Sequence, residues 1–307
     1  IMLSPVLSGE KTIDHIMLHP HAWYADKGIR LIAGDPAVRI DRPRKHVYTE
    51  KGEVVSYDRL ILATGSKPFV PPIPGSDLKG VLSFRNIYDV NQMLAYCKTK
   101  KNAVVIGGGL LGLEAAYGLK QQGMHVTVLH LMDRIMDRQL DIKASQMLKT
   151  TIERKGIRIL TEANTECLIG EEGHVTQVKL KDGTVLDADL VVFAVGIRPN
   201  MSLAQSAGLR CNHGVLVNDT MQTFDPSIYA VGECIEHRGQ TFGLVEPLWG
   251  QAFICASHLA EHGSLIFKAP TVPTQLKVSG CDVFSAGDFE PKDDFEDIIL
   301  NDEKRQI

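Results

Sequence analysis

Gly107, Gly109 and Gly112 are spaced G-x-G-x-x-G and lie between a short apolar run ending at Ile106 and a helix-patterned stretch that reaches Gly123. In that context the first glycine permits a tight turn, the second lets backbone approach a pyrophosphate, and the third lets helix pack on strand. Amides at the helix start, from Leu110 on, would face the phosphates. Two carboxylates stand at other informative points: Glu233 follows Gly232 just past the apolar run 228–232, and Glu246 precedes Pro247 at the start of an apolar helix. Ligands of open α/β sheets bind beyond the carboxyl ends of strands, where a carboxylate can hold polyol hydroxyls. Pro247 reads as the first helical residue, with the helix dipole available to an electron-rich ring.

Other chemistries find less support. His258 and His262 are four apart on a helix, a spacing able to hold zinc, but the H-E-x-x-H glutamate is missing and a solvated helix C-terminus accounts for them better. The six cysteines are scattered without a C-x-x-C pair, which fits reduced thiols and argues against a redox dithiol. The fingerprint calls for Asp or Glu about 20 residues on, to take the ribose hydroxyls; this chain has His130 at the end of the second strand. A histidine neither repels a 2′-phosphate nor accepts two hydroxyls well, so NADPH is expected to be tolerated, with help from Arg134. A solvent-facing His130 without contacts is the other reading.

These residues need a scaffold. A second apolar strand at 126–129 closes a βαβ unit of about 30 residues, and a helix over 141–155 ends at Gly156 before a strand at 157–160. Alternation over 167–186, with turns at Glu172-Gly173 and Asp182-Gly183, predicts a small antiparallel meander. The continuous apolar run 190–195 predicts a parallel strand covered on both faces. Two separated runs, 60–65 ending in Ala63-Thr64-Gly65 and 228–232, share the form of a buried strand entering a glycine turn, as if one sheet were interrupted by an inserted domain. Pro68, Pro71, Pro72 and Pro74 make the exit from the first stiff. The expected domains are 1–91 with 210–263, then 92–209, then a stub at 264–307 carrying strands at 275–278 and 283–284 and a solvated acidic run, Asp293 to Asp297.

With 307 residues, 44% hydrophobic and 23% charged, the chain is sized for about two globular domains. A net charge of −4 leaves no polyanion footprint, so nucleic acid is not an expected partner. No apolar run approaches the roughly 20 residues of a membrane span and no leader pattern opens the chain, so a cytoplasmic, membrane-free location is expected.

Over about 4–287 the sequence resembles the two-dinucleotide FAD/NAD(P)H oxidoreductases, the pyridine nucleotide-disulfide oxidoreductase family of glutathione reductase and rubredoxin reductase. Tyr57-Asp58-Arg59-Leu60-Ile61-Leu62-Ala63-Thr64-Gly65 looks like that family's first FAD-domain crossover, Ala194-Val195-Gly196-Ile197-Arg198-Pro199-Asn200 like its return, and Tyr229-Ala230-Val231-Gly232-Glu233 like the strand reaching the FAD ribityl chain. The resemblance implies an α/β fold: two doubly wound dinucleotide-binding domains of glutathione reductase type, the NAD(P) domain inserted in the FAD domain, plus a short C-terminal α+β stub. It places Ala63, Thr64, Gly65, Gly232, Glu233, Glu246 and Pro247 along FAD. Gly107, Gly109, Leu110, Gly112, Glu114, His130 and Gly196 would lie along NAD(P)H.

Within that family the chain is most similar to the flavoprotein portion of the assimilatory NAD(P)H nitrite reductases. The matching strings are 2–11, Ala22-Trp23-Tyr24-Ala25, His130-Leu131-Met132 and Gly232-Glu233-Cys234. The family opens with its own glycine fingerprint for the FAD pyrophosphate, which this sequence lacks, so a piece of a longer polypeptide is expected. The resemblance implies electron transfer from NAD(P)H through FAD to iron–sulfur and sirohaem domains of nitrite reductase. A stand-alone reductase of rubredoxin or ferredoxin and a flavin-free NAD(P)-binding module are the alternatives, and homodimer formation stays open. No side chain need act as acid, base or nucleophile, and no metal site is expected, because the redox chemistry is the cofactor's.

Overall fold

The structure is a computed structural model that describes residues 2–263, 265–270, 273–278 and 281–287. By contacts the chain divides into two units, one of 1–16, 68–196 and 273–307, the other of 17–67 and 197–272. In chain order, the elements that position the candidate site are helix α1 (Leu3–Ser8), strands β1 (Leu60–Leu62), β2 (Val81–Ser83) and β3 (Asn102–Ile106), helix α2 (Leu110–Gln121), strand β4 (His125–Leu129), helix α3 (Ile142–Arg154), strands β5 (Ile157–Leu160), β6 (Leu190–Phe193) and β7 (Ile228–Ala230), and helix α4 (Val245–Leu259).

The first unit is built on a five-stranded sheet in the order β2-β6-β3-β4-β5, with every pairing parallel. β3 and β6, inside the sheet, read as near-continuous apolar runs because both faces are covered, whereas β5 at the edge alternates, with Arg158 exposed. Ala103, Val105, Val126, Val128 and Val192 join a core with Leu113 and Leu119 of α2 and Leu148 and Ile152 of α3. The alternate residues Val104, Ile106, Leu129, Val191 and Phe193 meet Leu168, Val175, Val178 and Leu180, which belong to the antiparallel meander of Thr165–Glu171, His174–Leu180 and Val185–Asp187. The predicted turn of that meander has Glu172 and Gly173 both at positive φ, 50° and 78°, as a two-residue hairpin loop demands. Full burial of each such aliphatic side chain contributes about 1.5–3 kcal/mol.

α3 starts where Asp141 accepts a hydrogen bond from the Ala144 amide at 2.7 Å, an N-cap. It turns Ser145, Leu148 and Ile152 inward, and the chain leaves it at Gly156 with φ of 80°. α1 buries Leu3, Val6 and Leu7 against α2, where a Cβ on Gly118 would sit 2.7 Å from Leu7 Cγ. The expected boundaries group 1–16 with 17–91; the contacts group them with α2, because this close helix approach and the bond from Gln122 Nε2 to Leu7 O, 2.9 Å, both lie there. The predicted strands near the C-terminus form an antiparallel hairpin, Thr274–Val278 with Cys281–Ser285, whose Leu276 and Cys281 enter the same core. The acidic run 293–297 lies outside the described residues.

In the second unit β1 and β7 pair in parallel, Leu60 with Ile228, Ile61 with Tyr229 and Leu62 with Ala230. β7 is buried throughout. β1 is less so than its apolar sequence predicts: Leu62 is 3% exposed but Ile61 46%, since among the described residues β7 is the one strand beside it. Leu62, Ile228, Tyr229 and Ala230 share a core with Ile254 and Cys255 of α4 and with Ile40, Val215 and Ile235. These last come from two antiparallel-edged sheets, Ala37–Asp41/His46–Thr49/Val54–Ser56 and Val215–Val217/Ile235–His237/Gln240–Thr241. Among the described residues no helix is long and apolar enough to cross a membrane.

Candidate dinucleotide-binding sites

Sheet register sets the first site. Phe193, Ile106, Leu129 and Leu160 stand in one row, so Ala194, Gly107 and His130 leave the carboxyl edge side by side. The glycine turn then folds back tightly. Gly107 has φ of 120° and a Cβ there would lie 2.4 Å from Ala194 O; a Cβ on Gly112 would lie 1.8 Å from Gly107 O. Gly109 differs: it is the N-cap of α2 with φ of −87° and no side-chain cap, and a Cβ there would meet nothing within 4 Å. First and third glycines are thus required by packing, while the second borders open space beside the free amides at the start of α2. That arrangement fits an anion brought up to a helix N-terminus. Gly196, at φ of 118°, likewise borders open space.

Two residues assigned to this site are engaged inside the protein. His130 Nδ1 accepts the Gly108 N–H at 3.0 Å and Nε2 lies 3.0 Å from Asp137 Oδ1, with the side chain 11% exposed. The reading of a solvent-facing ring without contacts is therefore overturned. Arg134 donates from Nε to Leu140 O at 3.2 Å. Glu114 takes a hydrogen bond from Ser4 Oγ, and burial pushes its carboxyl up, with the Ser4 hydroxyl working the other way.

The second site lies at the carboxyl ends of β1 and β7. Gly65 and Gly232 have φ of 63° and 91°, and a Cβ on Gly232 would meet nothing within 4 Å. Ser66 Oγ donates to Glu233 Oε2 at 2.8 Å, Thr64 Oγ1 donates to Asn200 O at 2.7 Å, and the Asn200 amide donates to Gly65 O at 2.8 Å. Glu233 is 7% exposed, a carboxylate held under the turn. From α4, Gln251 Oε1 accepts the Gly232 N–H at 2.7 Å. Among the described residues Gln251 Nε2 is a buried donor without a partner, an orphan that fits a ligand acceptor at this turn.

α4 begins at Val245, so Pro247 is its third residue and not its first; the first turn tolerates proline because its amides have no intrahelical partner. Pro247 is buried and Glu246 exposed, and Pro247 lines a cavity of about 320 Å³ with Phe242, Leu244 and Pro270. Trp249, two residues on from Pro247, is 66% exposed. His258 is not a solvated helix end: its Nδ1 is 2.8 Å from Tyr229 Oη. Burial pushes the Cys255 thiol up to about 11 and raises Cys97, Cys211, Cys234 and Cys281, which suppresses thiolate chemistry at all five.

Ser66, Gln251 and Asp137 are the residues that sequence reading missed. Gln251 left a signal, a polar residue four positions after Pro247 on an otherwise apolar helix face. Asp137 left none.

The chain's residues 1–251 match the family model described as pyridine nucleotide-disulphide oxidoreductase. It is 48% identical over all 307 residues to "Nitrite reductase [NAD(P)H]" of Bacillus subtilis, of which it covers 38%. It is 43% identical over the same length to that organism's "Assimilatory nitrate reductase electron transfer subunit", covering 40%. A crystal structure of a ferredoxin reductase from Rhodopseudomonas palustris superposes with a TM-score of 0.83 at 29% identity, over 90% of this chain and 69% of that one. The chain thus spans about two fifths of the length of these two curated relatives.

Proposed function

The chain belongs to the pyridine nucleotide-disulphide oxidoreductase family, and from that premise we propose that it is the NAD(P)H-oxidising flavoprotein part of a nitrite reductase. Electrons would pass from NAD(P)H through FAD to an acceptor domain or partner. One observation carries this reading: the β3–turn–α2 segment closes on Gly107 and Gly112 yet is open at Gly109. Gly107, Gly109, Leu110, Gly112 and Gly196 would hold the pyridine dinucleotide, its phosphates on the α2 amides.

The second site fits a flavin dinucleotide. Glu233, bonded by Ser66, would offer a carboxylate for polyol hydroxyls; Thr64 and Gly65 tie the β1 turn to Asn200; Gln251 presents a buried Nε2 with no partner among the described residues; Ala63 and Gly232 belong to the two turns, and Glu246 and Pro247 to the start of α4. When bound, FAD supplies two-electron acceptance and one-electron release. The protein's residues bind and orient. With the Cys97, Cys211, Cys234, Cys255 and Cys281 thiols raised by burial and no C-x-x-C pair in the sequence, a disulfide substrate is disfavoured. The two Bacillus relatives, with the nitrite reductase names that recur among others, favour nitrogen-oxide assimilation over a stand-alone ferredoxin or rubredoxin reductase.

The test uses the full-length polypeptide loaded with FAD and mixed anaerobically with NADH or NADPH. The reading predicts bleaching of the flavin band, followed by nitrite-dependent reoxidation. Bleaching without nitrite-dependent reoxidation would move the assignment to a reductase of another acceptor, and no bleaching with either nucleotide would overturn it.

A further inference from the structure

We propose that His130 is a positioning residue, which holds the glycine turn in its dinucleotide-binding shape and does not read the dinucleotide itself. This rests on the reading of the first site given above.

Three glycines in succession, Gly107, Gly108 and Gly109, leave the turn with almost no intrinsic preference among backbone conformations. Something outside it must select one. The middle residue, Gly108, is fastened on both sides by the segment that follows β4: its N–H donates to His130 Nδ1 at 3.0 Å, and its carbonyl accepts the Met136 N–H at 2.9 Å. The segment is itself anchored. Ile135 and Met136 are 0% and 1% exposed, Ser145 Oγ donates to Ile135 O at 2.8 Å, and the Ala163 amide donates to His130 O at 2.9 Å. Gly108 is packed as well as bonded, since a Cβ there would come within 3.0 Å of the His130 ring carbon Cγ and 2.9 Å of Ile135 Cγ2.

The two bonds of His130 fix its protonation pattern. A neutral imidazole has one donor and one acceptor nitrogen. Because Nδ1 accepts from a backbone amide, which can only donate, the proton is on Nε2, where Asp137 Oδ1 at 3.0 Å accepts it. Asp137 thus orients the ring and holds its tautomer, the arrangement carboxylates commonly impose on functional histidines. Both ring nitrogens are then committed. None remains for a ribose hydroxyl or a 2′-phosphate, so at the position where a carboxylate would select NADH this chain has a clamp on the turn.

Pre-organisation of the turn acts on binding and not on the hydride step, and it acts on both nucleotides alike. In the FAD-loaded full-length protein, His130→Leu should raise KM for NADH and for NADPH by the same factor, about tenfold, with kcat within about twofold. His130→Asn, whose Oδ1 stands close to where Nδ1 accepts, should recover most of that loss. His130→Gln retains a donor toward Asp137 but not the acceptor, and should not recover it. In unliganded wild-type protein, ¹⁵N resonances of the ring should report the Nε2–H tautomer. A change in the ratio of the two KM values would overturn the proposal, because the ring would then read the 2′ position. So would an Asn variant no better than Leu, or an Nδ1–H tautomer. If wild type binds neither nucleotide, the dinucleotide reading itself fails, whatever the tautomer.

Discussion

Ser66 Oγ donates to Glu233 Oε2 at 2.8 Å across 167 positions of sequence, tying the residue after the β1 turn to the residue after the β7 turn. β1 and β7 are three residues each, too short to fix the relation of the turns by ladder bonds alone. The bond holds a carboxylate that is 7% exposed at the carboxyl ends of both strands. Glu233→Ala is expected to weaken FAD retention at least tenfold, about 1.4 kcal/mol, with the affinity for NADH unchanged. Flavin release on dialysis and NADH titration of the same sample check the pair of outcomes.

Gly112→Ala is expected to fail in a different way. The added Cβ would lie 1.8 Å from Gly107 O, a backbone atom that cannot rotate aside, so the turn must open. Loss of about 1–3 kcal/mol of stability, typical of overpacking, should accompany loss of dinucleotide binding in thermal melts and titrations.

Glu114 yields a pH-dependent prediction. Burial raises its carboxyl in the folded protein, with the hydrogen bond from Ser4 opposing. A carboxyl raised on folding contributes stability below its unfolded value, and that contribution is lost as pH rises through the folded value. Glu114→Gln keeps an acceptor for Ser4 without an ionisable group. The variant should therefore melt higher than wild type at pH about 8 and show no such advantage at pH about 4.

Asp219 carries the opposite sign. The Arg238 guanidinium, then His237, then their charges hold its carboxyl at about 2, through bonds at 2.6–2.9 Å. A carboxyl lowered on folding contributes stability above its unfolded value, near 3.9, and the contribution disappears as pH falls through the folded one. Asp219→Asn should thus lower the melting temperature at neutral pH, and the gap to wild type should close between pH about 4 and about 2.

The first unit was the more legible part of the sequence. The inner strands bury both faces, so 102–106 and 190–193 read as apolar runs, 157–160 keeps the alternation of an edge strand, and the turns at Gly173 and Gly183 follow from residue chemistry that needs no tertiary context. β1 was less legible because its apolar sequence does not show that Ile61 lacks cover among the described residues. The placement of α1 on α2 was hidden altogether: it depends on Gly118 accepting Leu7, a contact between positions more than a hundred apart with no periodic signature. At the site, the glycine spacing made the tight packing at Gly107 and Gly112 legible, because a fixed backbone approach requires the missing Cβ. The bonds of His130 did not show, since a histidine at a strand end looks the same whether it meets ligand, water or a neighbouring amide.

Gly109 offers the most direct measurement of the central claim. Its φ of −87° is open to any residue, and a Cβ would enter space with no protein atom within 4 Å, so Gly109→Val should keep the fold, with a stability loss of about 1 kcal/mol for the poorer N-cap residue. If that space is where the dinucleotide phosphates lie, the variant of the full-length protein will lose NADH affinity by at least about tenfold, close to 1.4 kcal/mol, while still holding FAD. A Gly109→Val variant whose affinity for NADH and NADPH stays intact would place the coenzyme elsewhere and contradict the account.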